Sequence, residues 1–345
     1  MKTKKLVTRI LPAVAFACAL VACSNPSSSS APVPVVYVAG YYNSAYGVAC
    51  YWKNGASGEQ DLFNTANANA TAVFVSGSDV YVAGYYSNGT HTVAAYWKNG
   101  GAPINMSDGT TDAQANGIYV SGSDVYVAGY YTNVSGKTVA AYWKNGGLPI
   151  DLYNSASFSA QATGIVVSGT DVYVSGYNAS GPWNIACYWK GPPVIVETDL
   201  NPANESKALA IAVSGTDVYV AGYYATLNAG YWKNNSGGLV SLSSLAFATG
   251  IAVAGSDIYT AGYYKNTSNN ISACYWKNTA QNDLYSDLIG TNTAHANGIF
   301  ISGADVYVAG WVNAGIQSAC YWKNGTRTDL YTSNISSGNA VFFAN

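Results

Sequence analysis

The pentapeptide Val36-Tyr37-Val38-Ala39-Gly40 returns six more times in closely similar form, at 80–84, 125–129, 172–176, 218–222, 258–262 and 306–310. A Tyr-Trp-Lys triplet follows each copy. Trp52, Trp97, Trp143, Trp189, Trp232, Trp276 and Trp322 thus stand 45, 46, 46, 43, 44 and 46 residues apart. A period of this length is that of a supersecondary unit that cannot bury its own apolar face and stacks on copies of itself.

Each unit reads as four short strands. In one copy Gly117-Ile118-Tyr119-Val120 is the first, and Ser121-Gly122-Ser123-Asp124 is a tight turn of the kind Gly and Asp permit. Residues 125–131 form the second strand. A variable loop at 132–137 leads to the third at 139–144, and Asn145-Gly146 is a hairpin signal. A weaker fourth strand lies at Ile150-Asp151-Leu152, and the Asp-Leu pair returns at 61–62, 199–200, 283–284 and 329–330. No stretch of helical period interrupts the pattern. Four strands at this spacing predict a propeller blade.

The ends sharpen the prediction. The chain enters at Val35-Val36-Tyr37, already a second strand. It closes on Ala340-Val341-Phe342-Phe343, which matches the first strand Ala72-Val73-Phe74-Val75. The fold class expected is all-β: a seven-bladed β-propeller of four-stranded antiparallel blades over residues 35–345, with terminal strand exchange closing the ring and hiding its edges. A transmembrane barrel needs strands of about 9–11 residues that alternate in polarity, whereas residues 125–131 are apolar on both faces. An open solenoid needs distinct capping repeats, which the sequence does not contain.

Composition narrows the function classes. Hydrophobic residues are 49% and charged residues 9%, against about 25% charged in ordinary domains. Disorder requires the opposite balance. A nucleic-acid partner is not expected, since no Lys/Arg run occurs beyond the first nine residues.

Residues 1–22 read as an export signal: Lys2, Lys4, Lys5 and Arg9, then an apolar stretch from Ile10 to Ala22 too short to span a bilayer. Leu20-Val21-Ala22-Cys23 resembles the bacterial lipoprotein signal. The resemblance implies that Cys23 is lipidated, palmitate among its chains, and becomes the first mature residue. In such lipoproteins a residue other than Asp after the Cys, here Ser24, implies the outer membrane. More than one acyl chain holds stably. Removing residues 1–22 takes four basic residues and no acid, which moves the net charge from −2 to −6. Residues 23–34, Ser/Pro-rich around Ser27-Ser28-Ser29-Ser30, read as a flexible tether.

The chemistry-bearing residues mostly repeat in structural slots. Cys50, Cys187, Cys274 and Cys320 occupy a position that holds Ala95, Ala141 and Gly230 elsewhere, so they read as small buried thiols without disulfide, redox or metal role. The seven repeat Trp and their preceding Tyr read as packing, and Trp311 as a packing variant of the Tyr that follows Gly in other units. Asp79, Asp124, Asp171, Asp217, Asp257 and Asp305 read as turn-bonding residues. The Lys after each Trp is expected either to form a cationic rim or to keep a strand end solvated with an occasional ion pair. With only His91 and His295 present, and no Ser/His/Asp set or repeated carboxylate pair, the sequence predicts no enzyme, no cofactor and no metal site.

Variation concentrates in the loops between second and third strands: 43–46, 87–92, 132–137, 178–184, 225–228, 265–270 and 312–317. Trp183 lies in one of them. One slot at the start of each first strand also varies, holding Asn69, Gln114, Gln161, Lys207, Phe247 and His295, with Ser337 in the closing strand. Function tolerates or demands variation where turns need constancy. Asn69, Gln114, Gln161, Trp183, Lys207, Phe247 and His295 are therefore the candidate ligand-binding residues.

The Val-Tyr-Val-Ala-Gly-Tyr-Tyr and Tyr-Trp-Lys-Asn-Gly motifs resemble those of bacterial exported propeller-repeat lipoproteins. The resemblance covers residues 35–345, implies fold and export, and carries no catalytic residue. The leading expectation is a non-enzymatic, envelope-anchored module that offers its loop face to a protein or glycan ligand. The alternatives are a structural scaffold subunit of an outer-membrane assembly and, third, a lyase or hydrolase on a propeller.

Overall fold

The computed structural model describes residues 34–179, 181–201, 203–225, 227–287 and 290–344. The segment read as an export signal, Cys23 and the expected tether up to residue 33 lie outside the described residues. Seven four-stranded antiparallel sheets account for the repeats. Blade 1 takes Val35–Asn43, Gly47–Lys53 and Glu59–Phe63 from the start of the repeat region and Ser336–Ala344 from its end. Blades 2 to 7 follow at residues 68–105, 113–153, 160–199, 206–244, 246–285 and 293–331. In each, the first strand is innermost and the fourth outermost.

The seven inner strands neighbour one another in chain order. Ser336–Ala344 lies beside Thr293–Ser302 on one side and Ala68–Ser76 on the other, so the ring is closed. Strand exchange is as expected from the ends: Val341 pairs with Val38 and Ala340 with Ala39. Seven separate sheets around an axis are neither a membrane barrel nor an open solenoid.

The core is not central. It consists of seven apolar clusters, each formed between consecutive blades. Trp97, for example, packs with Ala39, Ala49 and Leu62 of blade 1 and Val73 and Val82 of its own blade. All seven repeat Trp are at most 1% exposed. Covering both faces of most strands is how the fold accommodates so apolar a composition. The four Cys lie in these clusters, free and buried, where burial pushes their thiols up from the usual range.

A bulge shapes every inner strand. Thr71 is the extra residue between Ala70, opposite Gly84, and Ala72, opposite Ala83. The kink brings the two backbones so close that a Cβ on Gly84 would collide with the Asn69 carbonyl oxygen. This is why the Val-Tyr-Val-Ala motif ends in Gly. The bulged side chain reaches the neighbouring blade: Thr71 Oγ1 donates to the Ala115 carbonyl at 2.7 Å and Asn116 Nδ2 to Ala162 at 2.8 Å. Thr163, Thr249, Asn297 and Asn339 make the equivalent bonds to Ala208, Ala296, Gly338 and Ala70. The seventh position is Leu209, the extra residue between Ala208 and Ala210, whose half-buried side chain has no donor to offer.

The end opposite the variable loops is uniform. Asp79 does not bond within its own turn. Its carboxylate takes the Lys98 ammonium at 2.7 Å and the Asn99 amide at 2.8 Å. The other five turn Asp pair with their Lys at 2.7–2.9 Å. The ion pairs are systematic rather than occasional, and six of the seven repeat Lys are neutralised, so no cationic rim forms. The pairs are exposed, and exposed pairs add little stability.

Candidate functional site

The bulge also decides which side chains meet at the loop end of the axis. Because of it, each variable slot on an inner strand pairs with the aromatic residue that follows Gly on the second strand. Asn69 lies opposite Tyr85, Gln114 opposite Tyr130, Gln161 opposite Tyr177 and Lys207 opposite Tyr223. Phe247 lies opposite Tyr263, His295 opposite Trp311 and Ser337 opposite Tyr41. These residues come from all seven blades and form a belt around the axis. Six of the seven predicted site residues are in it.

The belt has two characters. One arc is a run of rings: Tyr223 meets Phe247 edge-on at 4.9 Å, Phe247 stacks on Tyr263 at 5.1 Å, Tyr263 lies 3.8 Å from His295, and His295 stacks on Trp311 at 4.2 Å. The other arc is polar. Ser337 Oγ donates to Asn339 Oδ1 at 3.0 Å, and Asn339 Nδ2 donates to Asn69 Oδ1 at 2.8 Å. Between the arcs, the Tyr177 hydroxyl donates to Gln161 Oε1 at 2.6 Å, and the Lys207 ammonium sits 4.3 Å from the Tyr177 ring centre.

Charge is sparse here. Burial pushes the Tyr130, Tyr177 and Tyr223 phenols up to about 12, so they remain hydroxyl donors at neutral pH. Burial pushes His295 down to about 4, so its imidazole is neutral. Lys207 carries the only formal charge among the slot residues. Neutral donors, acceptors and ring faces suit hydrogen bonding and stacking. Among the described residues no group of three or more His, Cys, Asp or Glu gathers that could hold a metal.

Trp183 is not in the belt. It stands 46% exposed on its loop. The neighbouring Asn184 donates its N–H at 2.9 Å and its amide at 3.0 Å to Glu205, two residues before Lys207. The loop is thereby tied to the blade 5 part of the belt. The aromatic partners of the slots, Trp311 included, were not assigned a site role from sequence. Their position beside the slots follows from the turn register only once the bulge is counted.

No family model matches the chain, and no curated protein matches it. Among solved structures, the β-propeller domain of the Trilobed protease from Pyrococcus furiosus is similar with a TM-score of 0.50 and 9% identity, covering 87% of this chain and 95% of that one. That domain is described as having an open velcro topology, whereas the ring here is closed by its last strand. Trypanosoma rangeli sialidase gives a TM-score of 0.45 at 10% identity over 84% of this chain and 56% of its own. The chain therefore spans just over half the length of that sialidase. The likeness to the Trilobed protease domain shows the propeller fold alone.

Proposed function

We propose that the chain is a non-enzymatic, lipid-anchored binding module, held at the outer membrane through Cys23, whose belt takes a neutral polar ligand of the glycan class. The observation that carries the reading is the belt itself. Seven backbone positions made equivalent by the bulge hold six different sets of side chains, Gln with Tyr occurring twice, while the turns at the other end stay constant. Ring faces stack on sugar rings, and amides and phenols exchange hydrogen bonds with hydroxyls. The test is a glycan array read with the parent chain and with Trp183→Ala, Lys207→Ala and His295→Ala combined. Binding lost in the variant supports the site, and binding left unchanged removes it. Turnover of a bound glycan would replace the module by a hydrolase or lyase. Cys23→Ala should release the protein from the membrane fraction.

A scaffold reading has its own support. Tyr46, Trp183, Leu227 and Ile316, on four separate loops of the same end, are 40–50% exposed. Exposed apolar groups on one face suit a protein partner. A stoichiometric partner recovered from the native envelope, and lost with Tyr46→Ser and Ile316→Ser, would favour it.

A further inference from the structure

The chain enters the ring at a definite place. Val36 N donates to Asn54 Oδ1 at 2.9 Å, and Asn54 N donates back to the Val36 carbonyl. In blade 2 the same exchange joins Val80 and Asn99, directly after the turn residue Asp79. Val35 thus stands where other blades have their turn Asp, at the end opposite the variable loops.

That end is apolar over four consecutive blades. Its turns between third and fourth strands read Asn-Gly-Gly-Ala-Pro-Ile at 99–104, Asn-Gly-Gly-Leu-Pro-Ile at 145–150, Gly-Pro-Pro-Val-Ile-Val at 191–196 and Asn-Asn-Ser-Gly-Gly-Leu at 234–239, without a charged residue. Ile104, Leu148, Ile150, Val194, Val196 and Leu239 are exposed there, Leu148 by 89% and Val194 by 69%. In blades 6, 7 and 1 the residues opposite the repeat Trp at this end are Gln281, Arg327 and Glu59. The turn Asp of blades 2 to 5 are each paired with a Lys and add no net charge. Apolar residues scattered singly over a surface are ordinary. Gathered on one arc, with charge left out of its turns, they mark a contact surface.

Taking Cys23 as the anchor proposed above, we propose that this arc rests on the bilayer that holds the anchor. Its side chains enter the headgroup–acyl boundary of neutral lipids, and the belt faces away from the membrane. The length of chain decides between the two ends. Residues 24–34 join Cys23 to Val35, and eleven residues reach at most about 36–40 Å. The strand Val35–Asn43 puts about 30 Å between the ends of the ring. Only a nearly straight tether laid along the side of the ring would bring the loop end down, whereas the turn end needs none of that length. A short tether also keeps the arc at high local concentration, so a contact too weak for a free protein suffices. The expected charge of −6 draws no benefit from anionic lipid.

Bromine on lipid acyl chains quenches tryptophan that reaches the bilayer, and supplies the probe. Parent chain and variants are taken with their anchor from the membrane fraction and placed in phosphatidylcholine vesicles with plain or brominated chains. Leu148→Trp and Val194→Trp add emission that brominated lipid should remove. Leu227→Trp, at the loop end, and Thr279→Trp, on an exposed turn of blade 6 at the arc's own end, add emission that should persist. Protein that sediments with the vesicles yet keeps the Leu148→Trp and Val194→Trp emission would overturn the arc and leave the anchor standing. Quenching at Leu227→Trp would invert the orientation, and equal quenching at Thr279→Trp would spread the contact over the whole end; either overturns the proposal. Protein missing from the membrane fraction would remove the anchor and the resting face with it.

Discussion

Asn339 Nδ2 donates to the carbonyl of Ala70 at 2.8 Å, joining positions 269 residues apart in the chain. This bond belongs to the set that steps from blade to blade around the inner strands. It is the step that spans the chain's two ends.

The set predicts how its one gap responds to repair. Leu209→Asn places at the junction of blades 5 and 6 the donor that Asn116, Asn297 and Asn339 supply elsewhere, and gives up the apolar contacts of a half-buried Leu. Leu209→Ala gives up the contacts alone. The Asn variant should therefore be the more stable of the two by about 1 kcal/mol. Thr71→Val removes one donor while keeping shape, leaves the Ala115 carbonyl short of a partner, and should lower stability by about 1–2 kcal/mol. Urea unfolding midpoints measure all three. An Asn variant no better than Ala, with Thr71→Val neutral, would show that the bonds do not act as described.

The Gly that ends each motif should be the least replaceable residue of the repeat. Gly222→Ala drives a Cβ into the Lys207 carbonyl oxygen, and backbone must move. A loss above about 3 kcal/mol is expected. Gly77 sits in a left-handed turn, φ +60°, with open space around its Cβ direction. Gly77→Asn, a residue that tolerates this conformation, should cost less than about 1 kcal/mol. Comparable losses for the two would contradict the close-approach account.

His295 gives the fold a pH dependence. Its folded value is pushed down to about 4, against about 6.5 in the unfolded chain. Between these values the unfolded chain binds more protons, so stability rises with pH across that window. Acidification should cost at most about 3 kcal/mol through this group. His295→Phe keeps a ring between Tyr263 and Trp311 and should lessen the dependence. A parent and variant with parallel stability-against-pH curves would rule it out.

The ring thiols should be silent. Cys50, Cys187, Cys274 and Cys320 are buried and held above their usual range, and the thiolate is the reactive form. Iodoacetamide should modify none of the four in the folded protein and all four in denaturant, as peptide mass mapping would show. Rapid labelling of any one in the folded state would mean its blade opens.

The fold was legible because turn chemistry and the Trp slot both repeat, and each marks the same strand boundaries. The belt was legible only by half. The slots stood out as variable, yet counting back from the turn at Ser76 and Asp79 sets Ala70 opposite Tyr85. One bulged residue, Thr71, moves that pairing to Asn69. In a structure of period two, one residue exchanges faces, and this is why Tyr85 and its equivalents read as packing. The Asp–Lys pairs were hidden for a different reason. Asp79 and Lys98 lie on adjacent strands with a whole hairpin between them, so Asp79 alone reads as a turn-bonding residue and Lys98 alone as a solvated strand end.

The strand that shuts the ring is made after every other strand described. A chain that emerges in sequence order during synthesis can form blades 2 to 7 from its own consecutive strands, but blade 1 waits for Ser336–Ala344. Until that segment arrives, Val35–Asn43 keeps a bare edge and Asn339 is missing from the junction with Ala70. A polypeptide released early stays open, sticky along that edge and exposed to proteases, so closure itself distinguishes finished molecules from fragments.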